Sequence, residues 1–207
     1  KNRNTSGAVD LNRNWGHMWG YDDIGSSPYS SDETYRGTAA FSEPETQALR
    51  TFIDSRNFSI SMNFHTYGGY FLYPWGYSDI CTPDESLFST IGDTCVAPSG
   101  YSRGTPWELM YNTNGDALDW QYGEQIEKPK VLGFTMELGD NWDGFWPDPS
   151  RIPTLWDHAL PALLYLSRIA DNPYGINPPI APIMRPIGDV YTDPFTVHWQ
   201  CNDTINP

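Results

Sequence analysis

The sequence predicts an α/β fold with strands and helices in layers, and three observations predict it. Short apolar runs of strand character alternate with amphipathic helical segments through most of the 207 residues. Two of those runs end in groups capable of chemistry, His65 and Glu137, and α/β sheets collect functional side chains at the carboxyl ends of their strands. The alternation then stops near Asn172, where a proline-rich stretch begins.

The first element is a helix over FSEPETQALRTFIDSR. Ser42 reads as its N-cap, with Pro44 in the first turn and Glu45 at the capping-box position. Ala48, Leu49, Phe52 and Ile53 give it one apolar stripe. FSISMNFH reads as a strand, and GYFLYPW as another after a tight turn at Gly68-Gly69. PDESLFSTIGDTC reads as a helix, as does the segment from Asp116 to about Tyr122. KVLGFTMEL is a buried strand, and IPTLWDHALPALLYLSRIA is a long closing helix despite Pro161.

Beyond residue 172 the sequence changes character. Prolines at 173, 178, 179, 182, 186, 194 and 207 account for seven of the 18 in the chain, a spacing that forbids a helix and makes a stiff linker. DPFTVHW then alternates Phe195, Val197 and Trp199 on one face, the opening of a β-sandwich-like segment that stops before it is complete. The chain therefore divides into residues 1–172 and residues 173–207.

Composition excludes some partners. Twelve basic against 26 acidic residues give a net charge of -14, and a nucleic-acid partner needs clustered Lys and Arg that this chain lacks. Salt screens that field beyond about 8 Å, so one local Arg still holds a carboxylate. No run approaches the roughly 18 apolar residues of a membrane helix. Three cysteines are too few for a disulfide scaffold. Cys81 and Cys95 flank a loop and helix and either pair or remain two buried free thiols, with Cys201 unpaired within this segment. Asn57-Phe-Ser and Asn202-Asp-Thr match the glycosylation pattern.

Chemistry concentrates in four places. In GAVDLNRNW, Asn12, Arg13 and Asn14 lie between Val9 and Leu11 on one side and Trp15 on the other, which implies partial burial. A buried Arg needs a partner: either a neighbouring carboxylate such as Asp10, or the carboxylate of a ligand, whose two oxygens match the guanidinium fork. His65, in NFHTYG, ends the expected strand FSISMNFH. Glu137 sits inside FTMELGD, where a carboxylate is costly to bury without a purpose. Tyr111 comes just ahead of a turn in LMYNTNGDALDWQYGE.

Together these blocks resemble the zinc carboxypeptidases of the carboxypeptidase A and T type. KNR followed by VDLNRNW, then YRGTAAFSEPET, HTYGGYFLYPWGY, YNTNGDALDWQYG, FTMELGD and DGFWPDP are similar to that family's blocks in order and spacing, over about residues 1 to 170. The resemblance implies a mixed central sheet flanked by helices, whose first strands lie upstream. It also implies a secreted metallopeptidase that removes one residue from a peptide or protein C-terminus. By resemblance, Asn12 and Arg13 bind the terminal carboxylate of the substrate, and His65 is one of three zinc ligands. Tyr111 closes over the bound terminus, Tyr67 belongs to the substrate-binding set, and Glu137 is the general base that activates the attacking water. Asp116 and Leu118 correspond to the wall and floor of the specificity pocket. Leu118 implies apolar and aromatic termini, and Asp116 either pairs with a cationic side chain or merely caps a helix beginning at Ala117.

One departure matters. The family's other two zinc ligands come from an H-x-x-E motif upstream of the KNR block, and no His here starts such a motif: His17, His65, His158 and His198 are followed by other residues. The expectation is a Zn²⁺ site of which this chain carries one ligand, the rest belonging to a missing N-terminal part of the same protein. Without the upstream strands, the strand ending in His65 would stand as an unpaired edge. Two other readings compete. A carboxylate-binding domain without a metal has little use for Glu137 as a base. A glycosidase pairing Glu137 with Asp140 or Asp143 explains neither Asn12-Arg13 nor His65.

Overall fold

The computed structural model describes residues 2–4 and 7–176, so the segment expected over 173–207 lies almost wholly outside the described residues. A hairpin of β1 (Asn2–Asn4) and β2 (Gly7–Val9) opens the chain, followed by a 3₁₀ turn over Leu11–Arg13. Then come α1 (Pro44–Asp54), β3 (Ile60–Thr66), β4 (Tyr70–Leu72), α2 (Glu85–Val96), β5 (Ser102–Gly104) and α3 (Pro106–Leu109). The order closes with α4 (Ala117–Gly123), β6 (Leu132–Leu138) and α5 (Ile152–Ile169). Among the described residues the main sheet runs β3-β6-β4-β5, parallel between β3 and β6 and between β4 and β5, antiparallel between β4 and β6. It is the mixed sheet flanked by helices that the sequence implies.

Strand alternation decides what each face does. On β6, Leu132, Phe134 and Met136 point one way and are fully buried. They pack with Phe71 of β4, with Leu87, Phe88, Ile91 and Cys95 of α2, and with Ala159, Ala162 and Leu166 of α5. Burying each Leu, Ile, Phe or Met of this layer stabilises by about 1.5–3 kcal/mol, and the layer anchors the sheet. Gly133, Thr135 and Glu137 point the other way. Gly133 lets α4 approach: a Cβ there would meet Gln121 Oε1 at 3.0 Å and the Leu118 carbonyl at 3.2 Å. Gln121 then accepts from Ser61 Oγ at 2.6 Å and Asn63 Nδ2 at 3.2 Å, fastening α4 over that face.

Three local expectations need correction. The N-cap of α1 is Glu43, not Ser42, because Ser42 Oγ is engaged with Asn14 Nδ2 at 2.9 Å and Glu43 at 2.9 Å. The apolar stripe of α1 enters the core only in part: Ile53 packs against the cluster of Trp15, Phe41, Ala117 and Trp120, while Leu49 and Phe52 are about half exposed and Phe52 meets Phe58. Cys81 and Cys95 do not pair, nor are both free. Cys81 is disulfide-bonded, while Cys95 is a free buried thiol whose pKa burial pushes up to about 12. The pairing state of Cys201 lies outside the described residues. Among the described residues no helix is long and apolar enough to cross a membrane.

Candidate active site

The β3–β6 register sets His65 directly beside Glu137, and the β4–β6 register sets Tyr70 on Glu137's other side. Both chemical groups therefore leave the sheet on the face opposite the core. There they line a cavity of about 500 Å³, reached also by Thr135 and Leu72 from the sheet. Asn12 and Arg13 enter the same cavity from the 3₁₀ turn, Tyr67 from the β3–β4 turn, Tyr111 from the loop after α3, and Asp116 and Leu118 from the start of α4. All eight side chains singled out in the sequence thus meet in one place.

The 3₁₀ turn explains the Asn-Arg-Asn run. Asp10 caps it, accepting from Asn12 N at 3.0 Å, so Asp10 is committed to the backbone and is not Arg13's partner. Arg13 is 5% exposed. Its Nε donates to Gly25 O at 2.8 Å and its Nη1 to Asn12 O at 2.8 Å, which fixes the plane of the guanidinium. It makes no ion pair among the described residues, and Nη2 is left without a bond there. Asn12 Oδ1 accepts from Ala117 N at 3.1 Å, locking the turn to the start of α4. Asn14 has a different job. Fully buried, it donates to Arg36 O, Ala39 O and Ser42 Oγ and accepts from Thr46 Oγ1 and Glu43 N, tying the loop to α1.

Glu137 is 7% exposed and its carboxylate accepts no hydrogen bond from the described residues. Its Oε1 lies 3.8 Å from His65 Nδ1. Burial pushes its pKa up to about 7, against the pull of Arg13's positive charge. A carboxyl group with that affinity both takes and returns a proton near neutral pH. Burial also lowers the pKa of His65, opposed by Asp116, and the neutral imidazole it favours is the form that metals accept.

The start of α4 was less legible. Asp116 Oδ1 accepts from Asp119 N at 2.7 Å and Oδ2 from Thr113 Oγ1, so Asp116 does cap the helix. It also lines the cavity, so capping and wall position coexist. Asp119, not anticipated, is fully buried and accepts from Gly76 N at 2.8 Å and Tyr77 N at 3.0 Å. Burial raises both carboxyl pKa values, and for Asp119 the charge of Asp116 adds to the rise. The three-residue spacing of the two Asp on a helix start was the available signal. Met110, Leu109 and Phe145 also line the cavity, and nothing in their local sequence marked them. Asp140 and Asp143, the glycosidase candidates, do not line it. Asp143 is held by Arg151 at 2.6 Å.

A catalytic zinc wants three protein ligands and one open position. Among the described residues no group of three or more His, Cys, Asp and Glu could hold a metal ion. His65 offers one imidazole with a carboxylate nearby, so the donor set falls short by itself. The isolated 207-residue chain is therefore expected to retain well under one zinc per chain after dialysis. Stoichiometric zinc held at His65 by other groups of this chain, seen by metal analysis, would contradict that.

Known proteins resemble this chain in sequence and fold. The zinc carboxypeptidase family model matches residues 1–162. Zinc carboxypeptidase A 1 of Anopheles gambiae is 30% identical over 170 residues, covering 77% of this chain and 38% of that protein. Carboxypeptidase A1 of Bos taurus is 31% identical over 176 residues, covering 81% of this chain and 41% of that protein. The structure of bovine thrombin-activatable fibrinolysis inhibitor in complex with tick carboxypeptidase inhibitor superposes with a TM-score of 0.71 at 28% identity, over 83% of this chain and 61% of that one. The chain spans about two fifths of the length of these curated relatives. With a family match over residues 1–162, this chain belongs to the zinc carboxypeptidase family.

Proposed function

We propose that the protein carrying this chain is a metallocarboxypeptidase that hydrolyses the last peptide bond of peptides and proteins. One observation carries the reading: a single cavity joins a guanidinium that makes no ion pair among the described residues to a buried carboxylate that accepts no hydrogen bond from them. Arg13 and Asn12 hold the substrate's free carboxylate, which places the scissile carbonyl one residue away, toward Glu137. Glu137 takes a proton from the attacking water and returns it to the leaving amine. Tyr111, 59% exposed at the cavity's edge, and Tyr67 contact the bound terminus. His65 contributes one zinc ligand, and the others come from beyond the described residues. Two features support that division: β3 is an edge of the described sheet, and the half-exposed α1 stripe has room for a neighbour. The Cys81 disulfide supports a secreted protein, since disulfides persist in oxidising compartments.

The walls support a broad specificity with an apolar bias. Leu118, Leu72, Leu109 and Met110 line the cavity, and Asp116 adds a second buried carboxylate to its lining besides Glu137. Phe, Tyr, Leu and Met termini are expected to be cleaved best. Lys and Arg termini are cleaved measurably through Asp116, where a charge-assisted hydrogen bond is worth about 1.5–3 kcal/mol. Asp and Glu termini are worst. Measuring kcat/KM of the full-length protein for peptides ending in Phe, Arg and Glu, with and without a zinc chelator, tests both levels. Glu outperforming Arg means the pocket is misread. Binding of free-carboxylate peptides with no turnover at all would leave a non-catalytic binder.

A further inference from the structure

Tyr101 and His158 take no part in the proposed chemistry and do not line the cavity, yet their side chains meet beside it. The Tyr101 ring packs against the main core from the segment that leads into β5. Its hydroxyl accepts from Gly139 N at 3.0 Å and lies 3.1 Å from His158 Nδ1. A tyrosine hydroxyl has one proton to give and lone pairs to receive. Gly139 N–H takes a lone pair, so the proton points to Nδ1, the bare nitrogen of a neutral imidazole. Burial raises the pKa of Tyr101, so the hydroxyl keeps that proton near neutral pH.

The pair holds the junction between the two strand ends that carry the chemistry. Gly139 follows Glu137 and Leu138, where the chain leaves β6 with φ +83°. Its carbonyl accepts from Gly68 N at 3.2 Å, and Gly69 N donates to Glu137 O at 2.9 Å. Gly68 and Gly69 turn the chain from β3 to β4 directly after Thr66 and Tyr67. Ser102 N, next to Tyr101, donates to Gly69 O at 3.0 Å. The exit of β6, the β3–β4 turn and the entry to β5 are thus laced together at one point. The fit is close: a Cβ on Gly69 would stand 3.5 Å from both the Gly139 carbonyl and the Tyr101 ring. Past Gly139 the chain carries Asn141 and Phe145 to the cavity, where the Phe145 ring meets Tyr67 edge-on at 5.0 Å.

We propose that Tyr101 is a positioning residue for the reaction and that His158 governs it. With His158 neutral, the Tyr101 hydroxyl fixes Gly139 and through it the backbone that carries Glu137 and Tyr67. With His158 protonated, that hold is released. The inference rests on the carboxypeptidase reading and adds to it a control placed outside the cavity. Once Nδ1 carries a proton it becomes a donor, so Nδ1–H and Gly139 N–H converge on one oxygen whose own hydrogen has lost its acceptor. The charged groups facing the pair are Asp140 and Asp143 on the loop and Arg151 at the foot of α5. Arg151 already grips Asp143 with two bonds of 2.6 and 2.9 Å, which reduces the pull of that carboxylate on a protonated imidazole. Asp157, beside His158 on α5, is exposed to solvent, while α2 and β6 pack on α5 through the apolar core.

The test follows kcat and KM of the full-length protein on a peptide ending in Phe from about pH 5 to pH 8, the range in which an imidazole titrates. His158→Asn sets an amide oxygen where Nδ1 stood, an acceptor that does not titrate. The ratio of wild-type to His158→Asn kcat should hold steady between about pH 7 and pH 8 and fall about three- to tenfold toward pH 5. Protonation of Glu137 is common to both proteins and cancels. Tyr101→Phe should lower kcat about tenfold and leave KM nearly unchanged. Made in the Tyr101→Phe background, the same His158→Asn comparison should be flat with pH, because no hydroxyl is left to hold. A merely structural Tyr101 would lower activity without making the ratio depend on pH. A flat ratio in the wild-type background, or a slope that survives Tyr101→Phe, overturns the inference while cleavage by the wild type leaves the enzyme reading standing. If Tyr101→Phe does not fold, the wild-type ratio alone decides. If the wild type cleaves no free-carboxylate peptide at any pH, both readings fall together.

Discussion

Glu137→Gln in the full-length protein is expected to lower kcat by about 10²–10⁴-fold, the usual contribution of a general base. The amide fills the same space at the end of β6, so the strand register with His65 survives and metal content should not change. What disappears is the ability to accept a proton. The wild-type carboxylate is buried and accepts no hydrogen bond from the described residues, so its removal leaves no partner unsatisfied and folding should be nearly unaffected. Activity and zinc content measured on the same preparation decide the matter. A loss of less than tenfold would remove Glu137 from the role of base. A parallel loss of zinc would make it a ligand or ligand support instead.

The parts of the fold that were legible are those where periodicity had room to show. β6 reads as buried because Leu132, Phe134 and Met136 face a core formed by two helices, while the opposite face carries Thr135 and Glu137. α5 reads as a helix because Leu155, Ala159, Ala162 and Leu166 repeat at helical spacing. The short pieces were not legible. β1, β2 and β5 have three residues each and α3 has four, too few to establish a period; β4 is as short, and was read as a strand from the longer apolar and aromatic run GYFLYPW around it. The cap of α1 was misplaced for a reason outside the window: a buried Asn14, 28 residues earlier, takes the Ser42 hydroxyl. Its apolar stripe was visible, but a stripe does not say what covers it. The site was legible as residue types and only partly as geometry. Nothing local shows that Arg13 is steadied by Gly25 and that Asn12 reaches Ala117, 105 residues on.

That steadying shapes the second large effect, Arg13→Ala. In the proposed complex a buried guanidinium faces the substrate's carboxylate, and removing one partner of a buried, hydrogen-bonded charge pair costs about 2–5 kcal/mol. At about 1.4 kcal/mol per tenfold, KM for free-carboxylate peptides should rise by thirtyfold or more, with a smaller change in kcat because the anchor forms before the chemistry. Some of the loss will be structural, since Arg13 also donates to Gly25 O and Asn12 O. A comparison with C-terminally amidated peptides separates the two contributions. The wild type should prefer the free acid strongly, because only a carboxylate offers two charged acceptors to the fork. Loop collapse alone would weaken acid and amide alike and preserve the ratio. Loss of the carboxylate contact should bring the ratio close to one. Arg13→Lys sharpens the comparison: it keeps the charge but not the fork, so it should restore part of the acid preference and not all of it. An unchanged KM for free-carboxylate peptides in Arg13→Ala, or an undiminished acid-to-amide ratio, would take Arg13 out of the substrate site.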